Sequence, residues 1–417
     1  MAEPITQKCK GARDLLPEDL EVFRYIESVF RRSCLSWGYS EVRTPTLEYL
    51  SLFTAAGTLT PSMLGHVYSF LDWDGWSGER VVLRPDGTIP IARLYAENSS
   101  RWESARLFYV TNVFVFEETG MESRERWQCG AEFINGGHPW GDVEVLSLAV
   151  EVLNNLGLSG VKILLSHAGV LGALIKELKL DKGEEARILD RVLDGDWEVL
   201  TTIASGEPAI RDLIPLILGT TGSHSAFMKN LKSLPYVPKS VSSAVDEFIK
   251  VTELLDALGI EYQVDVTSVR GFEYYTGVCF QFLYQGKKVG SGGRYDNLLP
   301  LIGGKRAPAC GFALYVDPLM RVVSANNQPR TEQRVVIRCE DDTPEAIKTA
   351  FTLAGILRSR GLLVELSFAG LKPAAAHRWL VRVHRKLNGF SIIDREREQV
   401  RRVRSVNSVV DVVGGGL

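Results

Sequence analysis

Residues 269–277, VRGFEYYTG, bring several hydrogen-bonding side chains together between apolar flanks. A guanidinium, a carboxylate, two phenols and a hydroxyl come from Arg270, Glu273, Tyr274, Tyr275 and Thr276. A buried strand gains nothing from such groups unless something pairs them, because burying an unpaired polar group costs free energy. The segment therefore predicts a site that binds a polar ligand.

Two further segments place acidic and polar side chains where they could meet a ligand. RPDGT (84–88) puts Asp86 and Thr88 at a turn after a strand. QCGAE (128–132) puts Gln128 and Glu132 four residues apart, so that in a strand both side chains point to the same face. Taken alone, both segments favour an ordinary structural interpretation, a frequent turn and a solvated strand face.

A glycine-rich segment and a basic segment complete the candidates. GSGGRYDN (290–297) matches neither a P-loop nor a dinucleotide fingerprint, and by itself it predicts a hairpin turn. Residues 377–404 hold nine Lys or Arg residues against three acids. Their alternation of charged and apolar residues predicts an exposed face, with a partner surface as the less favoured alternative.

The composition is that of a globular protein with more than one domain. The chain has 417 residues, which is too many for one ordinary core, and 45% of them are hydrophobic. The net charge of -3 excludes a global attraction to nucleic acid or to an anionic membrane. No apolar run reaches membrane-spanning length, and the first residues carry charges where a secretory signal needs an apolar segment. We therefore expect a cytoplasmic protein without a membrane partner.

The cysteines and histidines do not form a recognisable pattern. The six cysteines are far apart and include no CxxC, which predicts reduced and mostly buried thiols. The six histidines form no HxxxH or HExxH pair, so we expect no zinc site.

Hydrophobic periodicity and turn residues predict the elements that position these segments. Residues 17–37 predict an amphipathic helix, and residues 81–96 a strand, a Pro-Asp-Gly turn and the start of a helix. Two antiparallel strands are predicted over residues 106–118 and 127–135. A helix (141–157) and a further strand (161–169) complete this part of the chain.

The chain divides by pattern into two domains and a linker. A first domain is expected over residues 1–323, with a helical insertion at about residues 170–260. The polar residues 324–333 predict the linker. Residues 334–417 predict a small α/β domain, because a strand, a helix with Thr343 as its N-cap and a second strand follow one another.

Seven segments in order resemble the motif series of class II histidyl-tRNA synthetases and their relatives. They are KGARDLLPED (10–19), GYSEVRTPTLE (38–48), RPDGT, QCGAE, VRGFEYYTG, GGRYDNLL (292–299) and ACGFAL (309–314). The resemblance covers residues 10–320 and implies an α+β fold with a six- or seven-stranded, mainly antiparallel sheet flanked by helices. It also implies dimerisation through the motif around Pro45 and a C-terminal domain of the anticodon-binding kind.

The resemblance implies a histidine-binding pocket. The family's pocket residues match seven positions of this chain: Asp86, Thr88, Gln128, Glu132, Arg270, Tyr274 and Tyr275. Asp86 stands where synthetases have Glu and would meet the ligand's ammonium, while the tyrosine pair would line the imidazole. Free histidine needs an anion for its ammonium, donors for its carboxylate and polar partners for its ring, and this set supplies all three.

The nucleotide half of the site departs from the family pattern. The motif-2 strand reads FVFEE, with Val115 where synthetases place the arginine that binds the ATP α-phosphate. LYVDPL puts Pro318 at the place of the motif-3 arginine. Losing one such group costs roughly 10²–10³ in rate, and two are replaced here. Arg124 and Arg126, in the loop between the strands, are candidates for partial substitution, although the valine leaves no cation at the reacting phosphate.

A histidine pocket beside a degenerate ATP site resembles the regulatory subunits of ATP phosphoribosyltransferase. The resemblance implies a non-catalytic chain, without cofactor or metal, that binds L-histidine and regulates a short catalytic subunit. The chain would form a homodimer within a hetero-oligomer, and tRNA would not be a partner. Two alternatives stay open: a working histidyl-tRNA synthetase, and a binding module that senses uncharged tRNA or another ligand.

Overall fold

The computed structural model describes most of the chain as two compact units, Met1–Asn327 and Gln328–Leu417. The described residues are 8–57, 67–72, 78–116, 123–193, 195–204, 208–219, 221–223, 225, 229, 237–268, 274–326, 334–339, 343–367, 377–384 and 389–414. Among these residues, every helix is too short or too polar to reach across a lipid bilayer.

The described helices of the first unit surround its sheet. They are α1 (Pro17–Ser36), α2 (Leu50–Ala55), α3 (Thr88–Glu97), α4 (Trp140–Asn155), α5 (Ala168–Glu177), α6 (Lys182–Leu193), α7 (Glu198–Ile203), α8 (Pro208–Leu218), α9 (Lys239–Ala257), α10 (Leu298–Leu301) and α11 (Val316–Asn326). The predicted first helix is confirmed, and helices α5 to α9 occupy the region predicted as a helical insertion. Helix α11 includes residues 324–326, which the sequence pattern assigned to the linker.

The described strands of the first unit form two sheets. They are β1 (Ser40–Glu41), β2 (Leu47–Tyr49), β3 (Ser69–Leu71), β4 (Arg80–Leu83), β5 (Ala105–Phe114), β6 (Glu125–Ile134), β7 (Lys162–His167), β8 (Thr221–Gly222), β9 (Gln263–Asp265), β10 (Val278–Tyr284), β11 (Lys287–Arg294) and β12 (Ala309–Tyr315). The large sheet has the order β1-β5-β6-β12-β11-β10-β7-β9-β8, and the small sheet the order β2-β4-β3.

The large sheet is mainly antiparallel, as predicted, but it is wider than expected. Only the pairs β1–β5 and β7–β9 are parallel among its described strands. Nine strands replace the six or seven expected, because short strands at both edges extend it. The predicted antiparallel pairing of β5 with β6 is confirmed over ten residues of each strand.

Two hydrophobic clusters hold helices against opposite faces of this sheet. The first unites α1, α4, α5, α9 and α11 with side chains such as Phe108 and Phe312. The second places α2 and α3 against Leu107, Tyr109 and Ile134. Because side chains alternate along β5, Phe108 and Tyr109 belong to different clusters. The second face, beneath α3, is the one that carries the candidate site.

The prediction that GSGGRYDN forms a hairpin turn is wrong. Residues 290–294 lie in β11, a buried strand between β10 and β12, and the turn that joins β10 to β11 comes earlier, at Gln285 and Gly286. Glycine is needed in this strand because neighbours approach closely. A Cβ at Gly292 would lie 2.3 Å from the backbone O of Gly311.

The second unit is an α/β domain. Its described elements are β13 (Arg334–Cys339), α12 (Pro344–Ser359), β14 (Leu363–Ser367), β15 (Trp379–His384), β16 (Gly389–Asp394), β17 (Gln399–Val403) and α13 (Val406–Gly414). The sheet order is β14-β13-β15-β16-β17. Strands β13 and β14 are parallel, and α12 begins after Thr343, so the predicted β-α-β start of this domain is confirmed.

Candidate ligand-binding site

Strands β5, β6 and β12 surround one buried carboxyl group. In the register of the sheet, Glu132 on β6 lies beside Leu107 on β5 and Gly311 on β12. The Glu132 side chain is 1% exposed, so this end of QCGAE is not the solvated strand face that the ordinary interpretation favoured. Gln128 lies on the same face of β6, as the spacing of four residues predicted.

The Glu132 carboxyl group accepts hydrogen bonds from three hydroxyl groups. The Tyr295 hydroxyl donates at 2.5 Å, the Tyr109 hydroxyl donates at 3.4 Å, and the Thr88 side chain hydrogen-bonds to it as well. Burial raises the pKa of Glu132 to about 8, against the lowering effect of these hydroxyls, and the nearby Asp86 carboxylate raises it further. At neutral pH this carboxyl is therefore mostly protonated. A cation placed beside it would favour the ionised form.

Glycines on two neighbouring strands make room for this group and its donor. A Cβ at Gly311 would lie 1.8 Å from Oε2 of Glu132, and a Cβ at Gly130 would lie 2.2 Å from the ring of Tyr109. Both distances are far below van der Waals contact. The glycine of ACGFAL and the glycine of QCGAE are therefore required by the side chains that pack over them.

The RPDGT turn lies next to the carboxyl group of Glu132. Thr88 is the first residue of α3 and is buried, whereas Asp86 is partly buried. One carboxylate oxygen of Asp86 accepts a hydrogen bond from the backbone N of Ile89 at 2.8 Å, as a helix-capping residue does. The turn therefore has the structural role that Pro-Asp-Gly suggests, and it also brings an acidic side chain to the site.

The described part of VRGFEYYTG adds two aromatic rings. Tyr274 and Tyr275 are half-buried, and their ring centroids are 4.9 Å apart. Tyr274 also meets Tyr295 edge to face at 5.9 Å. Because Tyr295 donates to Glu132, these aromatic contacts connect the tyrosine pair to the buried carboxyl. Arg270 lies outside the described residues, so its position stays a prediction.

A cleft of about 790 Å³ opens beside Gln128. Its described lining residues are Lys10, Gly11, Ala12, Arg13, Pro85, Val113, Val115, Ser123, Arg126, Trp127, Gln128, Lys288, Tyr315, Asp317, Pro318 and Arg321. The Gln128 Oε1 atom is buried and accepts no hydrogen bond from the part of the chain that the structure describes. Leaving a buried acceptor unsatisfied is unfavourable, so a donor on a bound ligand would be stabilised there.

Val115 and Pro318, the positions at which two synthetase arginines are replaced, both line this cleft. The cleft is nevertheless more basic than these replacements predict, because cations from other segments line it: Lys10, Arg13, Arg126, Lys288 and Arg321. Among its described lining residues the one acid is Asp317, which forms an ion pair with Arg13. Arg124, the second candidate for partial substitution, instead stacks over the ring of Phe116 at 4.4 Å.

Two tyrosines of the site were not assigned from the sequence. Tyr295 belongs to GGRYDNLL, and Tyr109 lies in a strand that the sequence predicted correctly. Alternation along β5 could have placed Tyr109 on the same face as Leu107. That Tyr109 meets Glu132 depends on the pairing register of β5 with β6, which the pattern of either strand alone does not specify.

The arginine of GGRYDNLL is buried in a cluster of ion pairs. Arg294 is 4% exposed and donates to Asp142 at 2.8 Å and to Asp296 at 3.0 Å. Nδ1 of His138 lies 2.9 Å from the same Asp142 carboxylate. The backbone N of Thr276 donates to the backbone O of Arg294 at 2.7 Å. The cluster therefore anchors the end of the VRGFEYYTG segment to β11.

Comparisons with known proteins find similar proteins over most of the chain. The family model described as histidyl-tRNA synthetase matches residues 11–319. The chain is 43% identical over 410 residues to an ATP phosphoribosyltransferase regulatory subunit of Dehalococcoides mccartyi, covering 98% of each chain. It is 32% identical over 373 residues to a histidine–tRNA ligase of Methanocaldococcus jannaschii, covering 88% of this chain and 87% of that protein. A solved structure of an ATP phosphoribosyltransferase regulatory subunit/histidyl-tRNA synthetase from Bacillus halodurans is 27% identical with a TM-score of 0.76, covering 89% of this chain and 96% of that one.

Proposed function

The chain belongs to the histidyl-tRNA synthetase family, and we propose that within this family it is the regulatory subunit of an ATP phosphoribosyltransferase. Similarity to a relative of that name extends over 98% of both chains at 43% identity, against 32% identity to a histidine–tRNA ligase. The subunit is not catalytic by itself. Its partner is the short catalytic subunit that carries out the first step of histidine biosynthesis.

L-Histidine is the proposed ligand of the site around Glu132. The Glu132 carboxyl would pair with a cationic group of histidine, and Gln128 would receive a hydrogen bond at its unsatisfied Oε1 atom. Tyr274 and Tyr275 would form the aromatic wall. The other proposed contacts are Asp86, Thr88 and Arg270.

The choice between a regulator and a synthetase depends on a difference between the two halves of the site. The amino-acid half of the site keeps a buried acid with its hydroxyl donors, whereas Val115 and Pro318 line the adjoining cleft. Adenylation needs preorganised positive charge at the α-phosphate, and neither an aliphatic nor an imino side chain supplies it. Loss of catalysis with retention of amino-acid binding is what a sensor requires.

Regulation follows if histidine binds one state of the complex more tightly than the other. A ligand shifts an equilibrium only by its difference in affinity, and a difference of about 3 kcal/mol changes the ratio of two states more than 100-fold. The protonated Glu132 of the free site would ionise when histidine binds. This change in charge distinguishes the histidine-bound site from the free site.

Reconstitution with a short ATP phosphoribosyltransferase catalytic subunit tests the proposal. We expect phosphoribosyl transfer to require this chain and to be inhibited by histidine. Glu132→Gln should keep the activation and lose most of the inhibition, while Glu97→Gln, an exposed acid at the far end of α3, should behave as wild type. Activity that is independent of this chain would refute the assignment.

A histidyl-tRNA synthetase is the second candidate, and the basic lining of the cleft favours it. Lys288 and Arg321 line the space in which a triphosphate could bind. Histidine-dependent exchange of pyrophosphate into ATP separates the two functions, because a synthetase forms an adenylate and a regulator does not. Exchange at a turnover typical of enzymes, about 1 per second or faster, would establish the synthetase.

The small sheet supports the proposal of a homodimer. Tyr49 on β2 and Phe70 on β3 flank Val81 on one face of this sheet, and both aromatic side chains are close to half exposed. Exposed apolar patches commonly mark interfaces, and these residues follow the motif around Pro45. A second copy of the chain is the proposed occupant. Sedimentation of Tyr49→Glu as a monomer and of wild type as a dimer is the expected result.

A further inference from the structure

A second pocket, of about 250 Å³, lies at the C-terminal end of α3. Its walls are the last turn of α3 with the segment that follows it, residues 99–103, together with α10 and the loop before β12, residues 305–307. The histidine site contacts the opposite end of α3, through Thr88, and a helix of ten residues is about 15 Å long. The described lining residues of the pocket include none of the seven proposed histidine contacts. The pocket is therefore a separate site.

Hydrogen bonds hold the walls of this pocket in place. The side-chain Nδ2 of Asn135, at the end of β6, donates to the backbone O of Glu103 at 2.7 Å. The backbone N of Asn135 donates to the backbone O of Pro308, also at 2.7 Å. The backbone N of Gly304 donates to the backbone O of Leu299 at 2.8 Å. Both loops are thus fixed to regular elements, and the pocket is formed before any ligand binds.

Tyr95, on the last turn of α3, offers the pocket a hydroxyl group. The residue is 6% exposed and lines the pocket. Its hydroxyl makes no hydrogen bond within the described part of the chain, yet the oxygen is not one of the fully buried polar atoms that lack a partner. A ligand in the pocket could therefore accept a hydrogen bond from it. The ring of Tyr95 stacks with that of Trp102, with centroids 6.3 Å apart and planes 11° apart, so the hydroxyl belongs to an aromatic wall.

Charges of both signs line the pocket without pairing to one another. Lys305 and Arg306 are exposed cations, and Glu103 is an exposed acid. None of the three forms an ion pair with a residue that the structure describes. Attraction of cations to the C-terminal end of α3 explains Lys305 and Arg306, but it does not explain an acid at the same end. A ligand that carries both charges would account for all three side chains.

We propose that this pocket binds a free amino acid with an apolar side chain. The carboxylate of the ligand would accept hydrogen bonds from Lys305, Arg306 and the Tyr95 hydroxyl. Its ammonium group would pair with Glu103. A simple carboxylic acid would place a second negative charge beside Glu103, and a simple amine would leave the two cations without a partner. A zwitterion matches both signs.

Apolar contact area in the pocket indicates the kind of side chain. It comes from the half-buried Trp102 and from Ala96, Leu299 and Ala307. The volume is slightly below the roughly 300–1,000 Å³ of typical ligand sites, which fits a small metabolite. An aromatic side chain would also stack on the indole of Trp102. L-Phenylalanine is therefore a suitable test ligand.

Titration of the full-length chain with L-phenylalanine, followed by the NMR signals of the ligand, tests the proposal. We expect saturable binding with a Kd of about 1 mM or tighter. N-acetyl-L-phenylalanine has no ammonium group and L-phenylalaninamide has no carboxylate, so each should bind roughly 2- to 5-fold more weakly or worse. These two analogues separate recognition of the zwitterion from simple apolar binding.

Two variants assign the binding to the pocket. Tyr95→Phe should weaken L-phenylalanine binding roughly 2- to 10-fold and leave the melting temperature unchanged, because no described residue loses a hydrogen bond. Glu103→Gln should weaken L-phenylalanine binding roughly 2- to 5-fold and leave binding of the N-acetyl analogue unchanged. Arg101→Gln is the matched control, because Arg101 is an exposed cation of the same segment that does not line the pocket. Glu132→Gln should also bind L-phenylalanine as wild type does.

Four results would overturn the proposal. The first is no saturable binding of L-phenylalanine at about 10 mM, ten times the expected Kd. The second is equal binding of L-phenylalanine and both analogues, which would indicate an apolar patch alone. The third is unchanged affinity in both Tyr95→Phe and Glu103→Gln. The fourth is loss of binding in Glu132→Gln, which would place L-phenylalanine in the site proposed for histidine.

Discussion

Histidine binding should release a proton from Glu132. Burial raises the pKa of this carboxyl to about 8, so at pH 7 about 0.9 of the free protein carries the proton. The α-ammonium group of histidine is already charged at this pH, so placing it beside Glu132 favours the ionised carboxylate and the proton must leave when the ligand binds. Affinity should therefore rise with pH until the free carboxyl ionises by itself. Between pH 6 and pH 7 this contribution amounts to almost tenfold, or about 1.4 kcal/mol.

Isothermal titration calorimetry in buffers of different ionisation enthalpy measures this proton directly. Wild type should release about 0.9 proton more than Glu132→Gln at pH 7, because the glutamine cannot ionise. Any proton released by the imidazole of histidine is common to both proteins and cancels in the difference. Glu132→Gln should also bind histidine roughly 10- to 100-fold more weakly, since a hydrogen bond to a charged group contributes about 1.5–3 kcal/mol. Glu97→Gln is the control and should match wild type.

The reasoning would be refuted by equal proton release in wild type and Glu132→Gln. Equal histidine affinity in the two proteins would refute it more severely, because the ligand would then bind elsewhere. Proton release in wild type without histidine-dependent inhibition of the catalytic subunit would distinguish the histidine site from the regulatory role. That result would support the site at Glu132 and refute the regulatory role.

Three further predictions concern stability and the shape of the site. Without histidine, the free energy of unfolding of wild type relative to Glu132→Gln should fall by about 1.4 kcal/mol per pH unit as pH rises from about 4.5 to 8. The reason is that the folded state retains a proton on Glu132 that the unfolded state has lost. Urea unfolding at several pH values measures this difference. Gly311→Ala should abolish histidine binding in calorimetry, since the added Cβ would lie 1.8 Å from Oε2 of Glu132, and a protein that binds normally would show that the strand can shift. Asp142→Asn should cost roughly 3–5 kcal/mol in urea unfolding, because it removes a buried charge partner of Arg294, and a loss below 1 kcal/mol would contradict the importance of this pair.

Local structure was largely predictable from the sequence. Helix α1 begins at Pro17 and buries its periodic apolar residues, and strands β5 and β6 pair antiparallel, as their patterns predicted. Both results depend on interactions between residues near one another in the chain. The interpretation of residues 290–297 as a turn failed for a non-local reason. The glycines of β11 are required by backbone and side-chain atoms of other segments, which the sequence of this strand does not specify.

In the candidate site too, the motifs were predictable from the sequence, whereas contacts between distant residues were not. The residues of RPDGT and QCGAE were found by their motifs, but the roles of Tyr109 and Tyr295 follow from strand register. The basic lining of the cleft was also missed. Lys10 and Lys288 are far apart in the chain, and only the fold brings them to one cavity.

The order of the motifs, the type of most elements and the replacement of two arginines by Val115 and Pro318 can be read from the chain of residues alone, since these are properties of neighbouring residues. Only the fold shows that Glu132 is buried, which raises its pKa, and that positive side chains from several segments line the cleft. Desolvation and charge depend on everything within a few ångströms of a group. Most of those neighbours come from distant parts of the chain.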